Sequence, residues 1–201
     1  MTALTLIRHG ETDWNRERRI QGATDIPLND TGRAQARAAA AALRERFGAD
    51  ARVTIAASDL SRARETAEII AAELCLDAPR VYRGLRERSY GEAEGVRVDE
   101  FHRRWGDWLT ATVPGAEPRE ELRARALSAL GRAVRDHRRA TAPAGATLVV
   151  VSHGALIREL LGHASGGEFP LAGERLANGS AHHFVFERDR LSLRAYAGLP
   201  V

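Results

Sequence analysis

The sequence predicts an α/β fold, a three-layer sandwich whose mainly parallel sheet carries helices on both faces. Three short apolar segments, residues 3–7, 53–57 and 147–151, have the length and composition of buried strands. Polar residues and then a helical stretch follow each of them, and strands that alternate with helices favour a parallel sheet. The 201 residues are 44% hydrophobic, which suffices for one core, so we assign residues 1–201 to one domain.

Five helices are expected between and after these strands. The first covers Thr31 to Phe47, with Asn29 and Asp30 as candidate caps and Gly48 as the residue that ends it. The other four are expected at residues 61–74, 98–108, 119–139 and 155–162.

The C-terminal part of the chain is predicted to close the sheet. Residues 181–197 alternate in polarity around a charged centre at residues 187–190, a pattern typical of a β-hairpin. The polar stretches at residues 110–118 and 163–175 are expected to be surface loops.

The charge of the chain is small although its sequence pI is about 9.7. All 30 basic residues are arginine and the formal net charge is +3, so the pI is high because few groups titrate between neutrality and pH 10. Basic and acidic residues are interspersed, so we expect no nucleic-acid partner.

Compartment and membrane contact are predicted from what the sequence lacks. No apolar run approaches the roughly 18 residues of a membrane helix, so no membrane contact is expected. The motif Arg8-His9-Gly10 stands where a secretory signal would lie, and the mature chain is expected to begin near Met1. The single cysteine, Cys75, cannot form an internal disulfide, and we predict a cytoplasmic protein in which Cys75 packs against a helix.

A His-Gly pair ends two of the predicted strands, as His9-Gly10 and as His153-Gly154. In an open α/β sheet, ligands bind in the crevice at the carboxyl ends of the strands, which predicts that both histidines face one site. A neutral imidazole nitrogen can attack phosphorus and form a covalent intermediate. Taken alone, His9 is better explained as a histidine that is merely hydrogen-bonded at a strand end, because Arg-His-Gly also occurs by chance.

Four separated segments favour the interpretation of His9 as a nucleophile. They are Leu-Ile-Arg-His-Gly-Glu-Thr at residues 6–12, the stretch around Arg62, Leu85-Arg86-Glu87, and the second His-Gly pair at residues 153–154. In this order they resemble the histidine phosphatase superfamily, also called the phosphoglycerate mutase-like family, over nearly the whole chain.

The resemblance implies a phosphate pocket in which Arg8, Arg62 and His153 surround the transferred phosphoryl group, with His9 beneath it as the nucleophile. Arg62 is expected at a helix N-terminus, where backbone amides also favour an anion. Fixed positive charge and donors stabilise phosphoryl transfer, so the resemblance implies neither a metal nor another cofactor. It also implies phosphate or substrate contacts for Asn15, Gln21 and Gly22.

Glu87 matches the general acid of that family, which protonates the leaving alkoxide and later deprotonates the attacking water. The alternative for an isolated glutamate is a surface carboxylate that pairs with Arg86 or Arg88. A metal site is not expected, because no His-Glu-x-x-His or Cys-x-x-Cys spacing is present. Three of the remaining histidines, His102, His137 and His163, are interpreted as surface residues. His182 and His183 are adjacent in a predicted strand, so their side chains are expected on opposite faces.

Specificity is expected in a cover segment at about residues 88–118, because the inner site binds only phosphate. Candidates to line the cover are Arg88, Tyr90, His102, Arg103, Arg104, Trp105 and Trp108. For the two tryptophans, packing within a helix interface is the favoured alternative.

Three functions fit these residues. We favour a metal-independent histidine phosphatase, a phosphomonoester hydrolase that acts on a small anionic metabolite such as a sugar phosphate or a phosphorylated acid. Mutases of the superfamily are usually longer and use a lysine after the general acid, whereas this chain has no lysine; the segment at residues 87–91 nevertheless resembles the mutase version. A non-catalytic binder of phosphorylated ligands would need the arginines but not His9 or Glu87. The sequence leaves a homodimer open.

Overall fold

The computed structural model describes residues 1–48, 51–108, 110–171, 173–197 and 199–201. Two single turns of 3-10 helix lie at Arg83–Leu85 and Gly91–Ala93. The strands and α-helices are, in chain order, β1 (Thr2–Arg8), α1 (Asp13–Arg16), α2 (Asp30–Phe47), β2 (Val53–Ala57), α3 (Ser61–Glu73), β3 (Arg80–Val81), α4 (Val98–Trp105), α5 (Arg119–Thr141), β4 (Thr147–Ser152), α6 (Gly154–Ser165), β5 (Ala181–Glu187), β6 (Arg190–Tyr196) and β7 (Leu199–Pro200).

The strands form one sheet in the order β3-β2-β4-β1-β5-β6-β7. The first four strands of that order are parallel to one another, and β5, β6 and β7 continue the sheet as an antiparallel meander. Five of the seven described strands therefore run in the same direction, and the α/β fold with a mostly parallel sheet is confirmed. The α2, α3, α5 and α6 helices connect or follow the parallel strands, as alternation of strands and helices predicts.

Apolar side chains of the central strands alternate between two cores, one on each face of the sheet. Leu6 and Val150 contribute to the core that α5 and α6 cover. Ile7 and Val151 contribute to the core under α2 and α3. These residues are fully buried, and each burial contributes roughly 1.5–3 kcal/mol to folding. The two cores give the three predicted layers.

The predicted elements agree with the observed ones except near their ends. The Asn29 side chain caps α2, since its Oδ1 accepts a hydrogen bond from the backbone N–H of Gly32 at 2.9 Å. The α4 helix ends at Trp105, before the predicted residue 108, because Gly106 has a φ of 84° and leaves the helical conformation. The patterns did not predict α1, β3, β7 or the 3-10 turns, which are too short for periodicity to reveal.

The cover segment packs around a third, smaller apolar cluster. Its buried members are Ile20, Tyr90, Ala93, Phe101 and Val113. This cluster packs the predicted cover, residues 88–118, against the chain that follows β1. Leu109 of the cover lies outside the described residues.

The hairpin of β5 and β6 turns at Arg188 and Asp189, which have φ values of 45° and 62°. Cys75 is exposed just beyond α3, so the prediction that it packs against a helix is wrong. The residue ends the helix in a left-handed conformation with a φ of 55°, which turns it away from the core. No described helix is long and apolar enough to cross a bilayer.

Candidate active site

The two predicted active-site histidines lie side by side at the carboxyl ends of adjacent parallel strands. Arg8 of β1 pairs with Ser152 of β4, so the next residues, His9 and His153, emerge together. The backbone N–H of His9 donates to the Ser152 carbonyl at 2.9 Å. The two ring centroids are 5.2 Å apart, the rings are inclined by 58°, and both side chains are buried. The structure thus brings the rings to one point although 143 residues separate them in the chain.

A hydrogen bond fixes the tautomer of His9. Its Nδ1 lies 2.7 Å from the carbonyl oxygen of Gly10, and a carbonyl only accepts, so Nδ1 carries the proton. Nε2 is then the unprotonated nitrogen in the neutral ring. The backbone N–H of Gly10 in turn donates to Oγ1 of Thr66 at 3.1 Å. A side chain at position 10 would not fit, because its Cβ would lie 2.3 Å from the carbonyl oxygen of Gly32.

Burial and neighbouring guanidinium groups keep both rings neutral. Desolvation, followed by the positive charges of Arg62 and Arg8, holds the pKa of His9 well below its ordinary value. Desolvation and Arg62 act in the same way on the pKa of His153. Neither ring nitrogen of His153 has a hydrogen-bond partner among the described residues. A buried polar group of this kind costs about 1–3 kcal/mol unless a ligand or water satisfies it.

Two guanidinium groups, the fully buried Arg62 and the half-buried Arg8, flank the histidines and are held by backbone carbonyls. Arg62, in the first turn of α3, donates from Nη1 to Thr24 O and from Nη2 to Gly22 O, each at 2.8 Å. Arg8 donates from Nη1 to Leu176 O. Burial lowers the pKa of both arginines, yet a guanidinium remains charged in proteins. Among the described residues, neither arginine forms an ion pair and neither Nε has a partner. The pair therefore offers buried positive charge and free donors to an anion.

Glu87 lies at the start of α6, directly beside the histidine pair. Its Oε2 accepts from the backbone N–H of Ala155 at 3.1 Å, and its Oε1 accepts from that of Leu156 at 3.2 Å. A carboxylate in this position satisfies the free N–H groups of the first helical turn. The negative charge of Glu87 partly offsets the lowering of the pKa of Arg8 and Arg62 by burial, so the carboxylate lies near both guanidinium groups.

The alternative interpretation of Glu87, a surface carboxylate paired with a neighbouring arginine, does not fit the observed contacts. Arg86 forms a two-point ion pair with Asp59, at 2.7 and 2.6 Å. Arg88 donates from Nε to the backbone carbonyl of Glu117 at 2.8 Å. Both arginine side chains are thus engaged elsewhere.

The three further residues that the resemblance gives for phosphate contacts lie in the segment between β1 and α2. Asn15 accepts at Oδ1 from Nδ2 of Asn178 at 3.2 Å, and the same Nδ2 donates to the backbone carbonyl of His9 at 3.0 Å. Gln21 is buried, and its Oε1 has no partner in the described part of the chain. Gly22 has a φ of 57° and uses its carbonyl to hold Arg62.

Most of the cover candidates pack against each other or face solvent. The guanidinium carbon of Arg88 lies 5.1 Å from the centroid of the Tyr90 ring, and Tyr90 is buried against Trp108 at a centroid distance of 5.3 Å. Trp105 and Trp108 both contact Phe101, at 5.4 and 4.6 Å, as the packing alternative predicts. The cover candidates His102, Arg103 and Arg104 are exposed on α4, and both arginines pair with acidic residues one turn earlier.

One histidine prediction is wrong. His137 is buried rather than on the surface, because Nδ1 bonds to Oγ1 of Thr54 at 2.7 Å and Nε2 bonds to the carbonyl of Ala146 at 3.0 Å. His182 and His183 point to opposite faces of β5, as strand alternation predicts. His182 packs against Tyr196, and His183 is hydrogen-bonded to Thr5.

No three His, Cys, Asp or Glu side chains of the described residues are grouped to hold a metal ion.

Sequence reasoning missed Glu94, which fixes the loop that holds Arg62. Its Oε1 accepts from the backbone N–H of Ala23 at 2.9 Å, and its Oε2 accepts from that of Thr24 at 3.0 Å. The carbonyls of this same loop bind both Nη atoms of Arg62. No motif marks Glu94, because its partners lie some 70 residues earlier in the chain.

Arg125 was missed as well, and it holds the backbone that carries Glu87. Its Nη1 donates to the carbonyls of Gly84 and Arg86, both at 2.9 Å, and its Nη2 donates to the carbonyl of Glu87 at 3.3 Å. In the sequence it is one of several arginines on α5, and nothing distinguishes it from those that face solvent.

Comparisons with known proteins agree with this geometry. The sequence pattern of the histidine phosphatase superfamily (branch 1) matches residues 4–197. The chain is 38% identical over 196 residues to the uncharacterized phosphatase PhoE of Bacillus subtilis. The aligned region covers 98% of this chain and 94% of that protein. It is 33% identical over 204 residues to phosphoglycerate mutase-like protein 4 of Arabidopsis thaliana, with coverages of 96% and 84%.

A solved structure shows the same fold. The mycobacterial glucosyl-3-phosphoglycerate phosphatase complexed with VO3 matches with a TM-score of 0.77 at 28% identity, over 98% of this chain and 99% of that chain. Since the matched pattern spans nearly the whole chain and includes both strand-end histidines, the chain belongs to branch 1 of the histidine phosphatase superfamily.

Proposed function

We propose that the chain is a phosphomonoester hydrolase that acts through a covalent phosphohistidine on His9. Its substrate is a small anionic metabolite, a sugar phosphate or a phosphorylated acid. The observation that carries the proposal is the buried pair of His9 and His153, with ring centroids 5.2 Å apart, next to two guanidinium groups without carboxylate partners in the described chain. Relatives named as phosphatases support the hydrolytic reaction.

The first step follows from the tautomer of His9. Nε2 attacks phosphorus with its lone pair while the phosphorus–oxygen bond to the ester oxygen breaks in line. Glu87 acts as the general acid and gives a proton to the departing alkoxide. The alcohol then leaves.

The second step returns the enzyme to its starting state. Glu87, now ionised, accepts a proton from a water molecule, whose oxygen attacks the phosphohistidine and breaks the phosphorus–nitrogen bond. Inorganic phosphate is released, and Glu87 is again protonated. The same carboxyl thus serves as acid and then as base, which its position at the start of α6, beside the histidines, supports.

Arg8, Arg62 and His153 are proposed to bind the phosphoryl oxygens. The free Nε donors of both arginines and the unpartnered ring of His153 support this role. The pKa of His153 is lowered by burial and further by the charges of Arg62 and Arg8, and a bound dianion would raise it by offsetting those charges. These fixed charges stabilise the charge that develops in phosphoryl transfer, and we propose that the reaction needs no metal ion.

Phosphoglycerate mutase activity is the second candidate. The 33% identity to phosphoglycerate mutase-like protein 4 and the mutase-like sequence at residues 87–91 favour it. Both reactions share the phosphohistidine, and they differ in whether water or a second substrate hydroxyl accepts the phosphoryl group.

One assay separates these functions. Phosphoglycerates, phosphoserine and sugar phosphates are incubated with the protein and a metal chelator, and free phosphate and isomerised phosphoglycerate are both measured. Hydrolysis predicts free phosphate, a mutase predicts isomer with little free phosphate, and a non-catalytic binder predicts neither. The variant His9→Ala should lose turnover, whereas His163→Ala, at an exposed position on α6, should retain it. Full turnover by His9→Ala would remove the nucleophile from the proposal.

A further inference from the structure

A cavity outside the active site lies between α5 and the 3-10 turn at Arg83–Leu85. Its volume is about 320 Å³, within the range of sites that bind small molecules. Polar groups that line it are Arg83 from the turn and Arg125, Ser128 and Arg132 from α5. The spacing of the three α5 residues places them on one face of the helix, which forms one wall of the cavity.

Small residues allow the turn to approach the helix closely at the base of this cavity. A Cβ at Gly84 would lie only 2.7 Å from the Cβ of Ala129, so the two elements are in contact there. Arg83, the residue before Gly84, and Arg132, three residues after Ala129, then stand on opposite walls. The cavity therefore presents positive charge from two sides.

Neither of these two arginines belongs to an ion pair among the described residues. In the described part of the chain, neither Arg83 nor Arg132 has a side-chain hydrogen bond or a carboxylate oxygen within ion-pair distance. Both are exposed. The third arginine that lines the cavity, Arg125, does have a carboxylate partner, since it pairs with Glu117 at 2.8 Å.

Two further carboxylates near the cavity also have partners. Asp136 accepts from the hydroxyl of Tyr82 at 2.9 Å. Asp59 forms an ion pair with Arg86. The hydrogen bonds to Arg86 are the main cause of the lowered pKa of Asp59, and the charge of Arg83 lowers it further. The cavity thus combines two unpaired guanidinium groups with the hydroxyl of Ser128 and with the fully engaged Arg125.

We propose that this cavity is a second anion site, which binds a compact small molecule with at least two oxyanion groups. A guanidinium group binds phosphate or carboxylate oxygens through two parallel hydrogen bonds. Because Arg83 and Arg132 stand on opposite walls, a ligand with one oxyanion satisfies only one of them, whereas a diphosphate or a polycarboxylate spans both. The Ser128 hydroxyl supplies a further donor.

Calorimetric titration at low ionic strength tests the site with two probes, methylenediphosphonate and tricarballylate. Orthovanadate is added to occupy the proposed active site. We expect one equivalent of probe to bind, and the probe that binds more tightly identifies phosphate or carboxylate as the preferred group. Acetate, with a single oxyanion, should bind at least about tenfold more weakly.

Matched double variants distinguish the cavity from general electrostatic attraction. Arg83→Gln with Arg132→Gln should weaken binding of the better probe by about tenfold or more. Arg135→Gln with Arg139→Gln removes the same charge from exposed positions of α5 outside the cavity and should leave the affinity within about twofold. Thermal unfolding checks that all variants fold.

Equal weakening by the two double variants, or no binding of either probe to the unaltered protein, would overturn the proposal. Failure of orthovanadate to bind would instead count against the proposed active site. The two outcomes are separate, because the double variants differ in the cavity and leave the histidine pair unchanged.

Discussion

Arg125 and Glu117 form a two-point ion pair, in which Nε and Nη2 each lie 2.8 Å from a carboxylate oxygen. The remaining donors of the same guanidinium hold the carbonyls of Gly84, Arg86 and Glu87. One side chain of α5 thereby fixes the backbone of the proposed general acid. Arg125 touches no predicted phosphate ligand, so it acts as a positioning residue.

Replacing Arg125 by lysine keeps the charge but removes the planar fork, which loosens the Glu87 backbone. We expect kcat for an alkyl phosphate to fall about tenfold or more, because the alkoxide needs a well-placed proton donor. Turnover of p-nitrophenyl phosphate should fall much less, since nitrophenolate leaves without a proton. The control is Arg135→Lys on the exposed face of the same helix. An equal loss on both substrates would argue against a role through Glu87.

The Glu94→Gln variant tests the loop that holds Arg62. An amide replaces a carboxylate that accepts from Ala23 and Thr24, and hydrogen bonds to a charged group contribute about 1.5–3 kcal/mol each. We expect the dissociation constant of orthovanadate to rise about tenfold, with a parallel rise in KM. Glu92→Gln, at an exposed position of the same 3-10 turn, should bind orthovanadate as the unaltered protein does. Unchanged affinity in Glu94→Gln would exclude this role.

Stability should depend on pH through histidines whose pKa is lowered in the folded protein. These histidines are His9, His137, His153, His182 and His183, and burial is the main cause of the lowered pKa in each case. The pKa values of His182 and His183 fall to about 4. The unfolded chain then binds more protons than the folded one below an unfolded pKa of about 6.5. The free energy of unfolding is therefore fully present above that pH and falls as the pH decreases toward about 4.

Urea unfolding between about pH 4 and 8 measures this effect, with a loss of about 1.4 kcal/mol per pH unit for each histidine that takes up a proton. His183→Gln should reduce the slope by one such contribution, because burial holds the pKa of His183 at about 4. His163→Gln, at an exposed position, should leave the slope unchanged. A stability that rises on acidification would show that these rings are charged in the folded protein.

Two glycine substitutions should have opposite effects on stability. Gly10→Ala places a Cβ 2.3 Å from the carbonyl oxygen of Gly32, so the start of α2 must move, and we expect a loss of about 2 kcal/mol or more. Gly162→Ala adds a Cβ whose nearest neighbour is 3.7 Å away, and helix propensity predicts a gain of about 0.5–1 kcal/mol. Thermal unfolding measures both. A destabilised Gly162→Ala would contradict the assigned packing of α6.

Local patterns were sufficient to predict the framework of the site. Strand-sized apolar runs predicted β1 and β4, and parallel pairing then places His9 beside His153, because both follow the last paired residues. The helix that carries Arg62 in its first turn, α3, was predicted from its apolar face, which repeats with helical period.

Long-range polar contacts could not be predicted in this way. Glu94 and Arg125 act on backbone groups that lie about 70 and 40 residues away, and neither residue differs locally from a solvated charge. The burial of His137 was missed for a similar reason, since this α5 residue is hydrogen-bonded to Thr54 of β2, 83 residues earlier in the chain. The end of α4 depended on one glycine with a positive φ, which periodicity does not detect.

The anchoring of Arg8 and Arg62 on neutral peptide oxygens has a consequence for the end of the proposed reaction. Carbonyl groups orient a guanidinium without cancelling its charge, so we expect the proposed phosphate pocket to attract the hydrolysed anion about as strongly as the intact ester. We therefore expect inorganic phosphate to compete with substrate, and its departure to limit the rate once good leaving groups make the chemistry fast.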